Sequence, residues 1–177
     1  MKVSKWVGIL TGMAACSLLA PLEIENAVVG ITIQSLILFI VAAYLGPRWG
    51  TVVLFTYLAL GAIGLPVFAD YHAGYEKLAG PTAGFLWGFP LAGFFLAWRC
   101  TSGEQSNIHY IVYFFQAHIL LLIMGFAVLY FKIDNLRVWP TLVPLLPGLL
   151  IKSLVGGVVS YALRQNLPFQ ETLVESS

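Results

Sequence analysis

The strongest constraint on this chain is the length of its apolar runs. Charged residues fall between those runs, and a single one, Lys152, stands well inside a run. Charged types make up 10% of the 177 residues and hydrophobic types 59%. A water-soluble domain usually carries about 25% charged residues, because its surface must be solvated. So little charge comes close to excluding a soluble enzyme, and disorder requires the opposite balance. The expected solvent is a bilayer. A net charge of +1 gives no nucleic-acid footprint, so no nucleic-acid partner is expected. Cys16 and Cys100 form neither a metal-ligand spacing nor a disulfide framework, and no metal site is expected.

A membrane-spanning helix needs about 20 mainly apolar residues. Six stretches approach this: residues 6–22, 27–45, 49–68, 81–98, 108–131 and 141–163. Pro21 with Glu23 and Glu25 ends the first, Gly46-Pro47-Arg48 separates the second from the third, and Gly64-Leu65-Pro66 weakens the end of the third. A polar segment from Ala69 to Gly80 follows. Backbone polar groups in lipid must be satisfied internally, which leaves helices or a closed barrel. The runs are far longer than the roughly ten-residue alternating strands of a barrel. The expectation is an all-α integral membrane protein, one membrane domain over residues 1–177 with six transmembrane helices.

Orientation follows the basic residues in short loops. An even number of spans puts both termini on one side, together with Lys2, Lys5, Arg48, Arg99 and Arg164; Lys77, Lys132 and Arg137 fall on the other. This bias predicts cytoplasmic termini and an outer position for residues 69–80. The opening Met-Lys-Val-Ser-Lys before an apolar run also resembles a signal peptide. Its removal would leave five spans.

Several residues stand out chemically. Ser4, Gly8, Gly12, Cys16 and Ala20 recur every four residues and make a small-residue stripe. Such stripes let membrane helices approach closely. Gly8 and Gly12 are therefore candidates for docking a partner membrane protein, or for packing within the chain. A second stripe, Gly80, Gly84, Gly88 and Ala92, follows Pro81 and Thr82 at a helix start, where free N–H groups suit an anion or carbonyl. Close helix packing explains it equally well. A mid-span lysine costs roughly 2.5–3.5 kcal/mol on insertion scales, and no acidic residue lies in a span to neutralise Lys152. It either snorkels or faces a cavity where it meets a ligand carboxylate or carbonyl. Gln34, whose amide donates and accepts, suits an amide-like ligand or acts as interhelical glue. Gln116 and His118 read the same way at lower rank. Tyr71 and Tyr75, four apart in the outer segment, are interfacial aromatics or a cover over a ligand. The chain lacks a phosphate-binding G-x-x-x-x-G-K-[ST] loop, an H-E-x-x-H and a G-x-S-x-G. It should not hydrolyse ATP itself, and no cofactor is expected.

Three stretches carry a family resemblance. One runs from Ile31-Thr32-Ile33-Gln34-Ser35-Leu36 to Tyr44-Leu45-Gly46-Pro47-Arg48-Trp49-Gly50. Another pairs Gly64-Leu65-Pro66-Val67-Phe68 with Gly80-Pro81-Thr82-Ala83-Gly84-Phe85-Leu86-Trp87-Gly88. The last is Pro144-Leu145-Leu146-Pro147-Gly148 through Lys152. With six short spans, this resembles the substrate-capture (S) components of energy-coupling-factor (ECF) transporters, and more particularly the BioY family. Two positions depart from the family pattern. Leu149 stands where members usually carry an aspartate ahead of the lysine, with Asp70 a candidate substitute, and the segment after Phe68 is less glycine-rich.

The resemblance implies an S-component-like bundle in the plasma membrane that binds biotin from outside, then associates with a transmembrane coupling protein and two ATPases. It implies substrate contacts at Gln34, Tyr71, Tyr75, Thr82, Gly84, Trp87 and Lys152. Two other readings stay open: an S component for a different vitamin-like substrate, and a ligand-free membrane scaffold.

Overall fold

The computed structural model describes residues 4–24 and 31–167. Lys2, Glu25 and the start of the second apolar run lie outside them. Besides helices and the turns and loops that join them, the described residues form one two-residue antiparallel ladder, β1 (Glu23–Ile24) against β2 (Ile31–Thr32). The helices are α1 (Lys5–Leu19), α2 (Gln34–Ala62), α3 (Ala83–Ser102), α4 (Asn107–Lys132), α5 (Val138–Leu142) and α6 (Leu145–Asn166), with two single 3₁₀ turns between α2 and α3. Three stretches are long and apolar enough to cross a membrane: Gln34–Ala62, Asn107–Lys132 and Val138–Asn166.

Helix bounds differ from the bounds of the apolar runs. α2 begins at Gln34 because the residues before it pair as β2, and α3 continues past Trp98 to Ser102. Sequence places a loop around Gly46-Pro47-Arg48, but α2 carries helical hydrogen bonding on both sides of a single aberrant residue. Gly46 has φ 82 and ψ 174, and Pro47 opens the next turn. That backbone conformation is essentially restricted to glycine, and proline fits a first helical turn because its missing N–H has no partner there.

The consequence is a doubling back. In a straight helix, residues 42 and 50 would be about 12 Å apart along the axis. Here a Cβ placed on Gly50 would lie 2.8 Å from the Ala42 Cα. Residues 34–45 and 47–62 are therefore two antiparallel arms, and glycine at position 50 is what permits their close approach.

This hairpin organises both ends of the bundle. At the Gly46 end, the Lys5 Nζ sits 3.8 Å above the Trp49 ring. There too, Arg164 Nη1 donates to the Ala43 carbonyl at 2.8 Å, and Thr101, two residues after Arg99, faces Gly46. Lys5, Arg48, Arg99 and Arg164 thus share one end of the molecule. At the opposite end, the Asp70 N–H donates to the Pro21 carbonyl and the Gly74 N–H to the Gly61 carbonyl, each at 2.8 Å.

α1 lies on α2, while α2, α3, α4 and α6 close a ring around the core. Phe39, Phe89 and Phe114 meet edge to face at its centre. Apolar side chains such as Leu10, Ile123 and Ile151 remain on the outside. A surface of this kind needs lipid rather than water around it.

Candidate functional site

Lys152 is the eighth residue of α6, about 10 Å from the helix start at 1.5 Å per residue. Its Nζ donates to Ser35 Oγ at 3.3 Å. Ser35 is buried in the first turn of α2, so the ammonium reaches the end of the bundle opposite Gly46. No carboxylate pairs with it among the described residues. A half-buried ammonium held by one neutral hydroxyl keeps most of its donor capacity.

One turn deeper the same helices meet again. Ser153 follows Lys152 on α6, and Phe39 follows Ser35 by four residues on α2. Both touch His118 of α4. Its Nδ1 lies 3.3 Å from Ser153 Oγ and 2.9 Å from the Phe114 carbonyl, and its ring meets the Phe39 ring edge-on at 4.9 Å. Gly156 makes this convergence possible, because a Cβ there would collide with Phe114 and would touch Leu36 at 3.1 Å.

Gln34 frames the neighbouring side. Its Nε2 donates to Tyr57 Oη at 2.7 Å, and Tyr57 donates in turn to the Val67 carbonyl at 2.6 Å. The chain ties the two arms of α2 to the segment that leads into residues 69–80. That segment is also fastened by Trp87, whose Nε1 donates to the Leu78 carbonyl at 3.0 Å.

The sequence candidates therefore separate into groups. Lys152 and Gln34 come together through adjacent residues of α2. Trp87 is half exposed and anchors the outer segment. Tyr71 and Tyr75 sit on that segment, 59% and 70% exposed, and stand apart from the Lys152 cluster. Asp70 and Tyr71 both carry positive φ, 53° and 54°. Thr82 precedes α3, and its carbonyl accepts from the Phe85 N–H at 3.0 Å. Gly84 faces α4, where a Cβ would meet the Met124 carbonyl and Val128, so this stripe serves helix packing. Gly8 and Gly12 are buried; a Cβ on Gly12 would meet Val41 at 2.9 Å, so the chain's own α2 occupies the face offered to a partner. Leu149 is buried on the inner face of α6.

Sequence reading passed over Ser35, Tyr57 and Ser153 and ranked His118 low. Ser35 and Ser153 each adjoin a polar residue that it did single out. A polar pair inside an apolar run was the available signal.

The profile of the family described as BioY matches residues 1–169. The chain belongs to the BioY family. The biotin transporter BioY of Thermotoga maritima is 32% identical over 160 residues, covering 89% of this chain and 93% of that protein. The biotin transporter BioY of Rhizobium etli is 33% identical over 169 residues, covering 88% and 89%. Among solved structures, the S component for biotin from an ECF-type ABC transporter superposes with a TM-score of 0.74. It covers 92% of this chain and 89% of its own, at 23% identity. This likeness shows that the fold is that of an S component.

Proposed function

We propose that this chain captures biotin as the S component of an ECF-type transporter in the plasma membrane, and that it is not an enzyme. Membership in a family whose compared members are named biotin transporters supports the substrate. The observation that carries the reading is Lys152, an ammonium inside a three-helix site and held by Ser35 rather than by a carboxylate. It is a donor available to a carbonyl or carboxylate of a ligand. Gln34 and Tyr57 brace the site from α2; Trp87 of α3 anchors the outer segment, whose Tyr71 and Tyr75 reach the ligand when that segment closes over it, and Thr82 and Gly84 start α3 beside them.

Six spans with both termini in the cytoplasm fit the arrangement in which Lys5, Arg48, Arg99 and Arg164 share one end. The Lys152 site then opens outward. Energy comes from outside this chain, whose sequence holds no phosphate-binding loop. A transmembrane coupling protein and two ATPases supply it, and the exposed apolar faces contact lipid and that partner.

The test is to identify by mass spectrometry the small molecule carried through purification, and then to titrate labelled biotin. Saturable binding of about one biotin per chain is the expected result. Another vitamin-like molecule at the site would replace biotin as the substrate. If no small molecule binds or shifts the melting temperature, the chain is a scaffold and the proposal fails.

A further inference from the structure

The Lys152 site offers donors, and its deepest group is an acceptor. His118 is 4% exposed. Its Nδ1 lies 2.9 Å from the Phe114 carbonyl, which can only accept, so Nδ1 carries the proton. In the neutral ring Nε2 is then a bare lone pair. That atom is buried and has no hydrogen-bond partner. Buried acceptors are rarely left unpaired, because desolvation without a replacement bond is costly. The other buried unpaired side-chain atoms among the described residues lie elsewhere: the Trp49 and Arg99 N–H groups are donors, and the Ser160 hydroxyl is two turns further along α6.

The position of His118 matters as much as its chemistry. Ser35 and Phe39 are successive-turn neighbours on α2, and Lys152 and Ser153 are adjacent on α6. Ser35 meets Lys152, while Phe39 and Ser153 both meet His118. His118 therefore adjoins the Lys152–Ser35 bond, one turn along α2 from Ser35 and next to Lys152 along α6. Leu149, buried on the same face of α6, supplies no acceptor. A cyclic urea presents one carbonyl flanked by two N–H donors. Lys152 matches the carbonyl, and a matching acceptor for an N–H must come from another residue.

We propose that His118 Nε2 accepts a hydrogen bond from a ureido N–H of the ligand at the floor of this site. The inference rests on the biotin reading above and names a contact within it. Ligand entry replaces the Ser35 contact of Lys152 and gives His118 its missing partner.

Calorimetry on the full-length purified protein tests this with biotin and two analogues, each methylated at one ureido nitrogen. The parent should reject at least one analogue by about tenfold, the scale of one hydrogen bond. His118→Phe should bind biotin about tenfold more weakly and treat biotin and that analogue alike. His118→Gln, whose amide oxygen accepts, should restore part of the discrimination. In a parent sample with isotope-labelled histidine, biotin should also move the Nε2 resonance of His118, which needs no variant to fold. Equal binding of all three ligands by the parent, an unmoved resonance, or discrimination that survives in His118→Phe overturns the inference while leaving biotin capture intact. A parent that binds no biotin overturns both.

Discussion

Gln34 and Tyr57 belong to one helical element, yet Gln34 Nε2 donates to Tyr57 Oη across 2.7 Å. A straight helix would separate them by about 34 Å. The bond exists because α2 turns back at Gly46, and it makes the Tyr57 hydroxyl a relay between Gln34 and the Val67 carbonyl. Tyr57→Phe removes that relay but keeps the ring. It leaves a buried amide and a buried carbonyl without this partner, at a cost of about 1–3 kcal/mol. The detergent-solubilised variant should melt below the parent. An unchanged melting temperature would show that the relay does not clamp the hairpin.

The turn and the close approach predict different glycine effects. Gly46→Ala meets nothing nearer than a Thr101 methyl group at 3.8 Å, so its cost is backbone strain at φ 82, about 1–3 kcal/mol. Gly50→Ala fits its helical backbone, but its Cβ would lie 2.8 Å from Ala42 main-chain atoms, so its cost is separation of the arms. Both should lower the melting temperature. Ala42→Gly should rescue neither, because it keeps the main-chain atoms that a Cβ on Gly50 would meet and removes a Cβ that faces Gly93 of α3; rescue of Gly50→Ala would mean that side-chain rather than main-chain contact sets the spacing of the arms.

The lysine tests function separately from folding. An apolar side chain of similar length should fit the half-buried path of Lys152, since a membrane-embedded lysine is itself unfavourable. Lys152→Met should therefore melt at or above the parent while biotin binding falls at least about tenfold, the loss expected for a charged hydrogen bond. Binding as tight as the parent's would remove Lys152 from the site.

Much of this arrangement was legible in the sequence, and the reasons are physical. Charges cannot rest in lipid, so Arg48, Arg99 and Arg164 mark ends, and contacts around Gly46 bring them together with Lys5. Lys152 stood out for the same reason. The stripes at Gly12 and Gly84 announced close packing but not its partner, because spacing gives a face and not what covers it. α2 and α4 cover them. His118, Ser35 and Ser153 were hardest to read. Ser35 and Ser153 stood in the shadow of Gln34 and Lys152 beside them, His118 lay between apolar neighbours, and the three become a cluster only when α2, α4 and α6 converge.

Orientation is open to a labelling experiment, because both native cysteines, Cys16 and Cys100, are buried. In intact cells, Glu76→Cys should react with a membrane-impermeant maleimide, and Ser102→Cys should react only after permeabilisation. Both positions are exposed. The reverse pattern would place the Lys152 site on the cytoplasmic side and exclude capture from outside.

The stripe on α1 gives the last test. Gly12 faces Val41 and Leu45 of α2, with a Cβ 2.9 Å from the first and 3.3 Å from the second. Overpacking such a contact costs about 1–3 kcal/mol. Gly12→Leu should therefore lower the melting temperature of the isolated protein in detergent, where no partner is present. Leu10, on the opposite face of α1, is 69% exposed. Leu10→Trp should leave melting and biotin binding unchanged and, where the coupling protein contacts that face, reduce uptake in cells. A Gly12→Leu variant that melts like the parent but fails in uptake would return the glycine stripe to the partner interface.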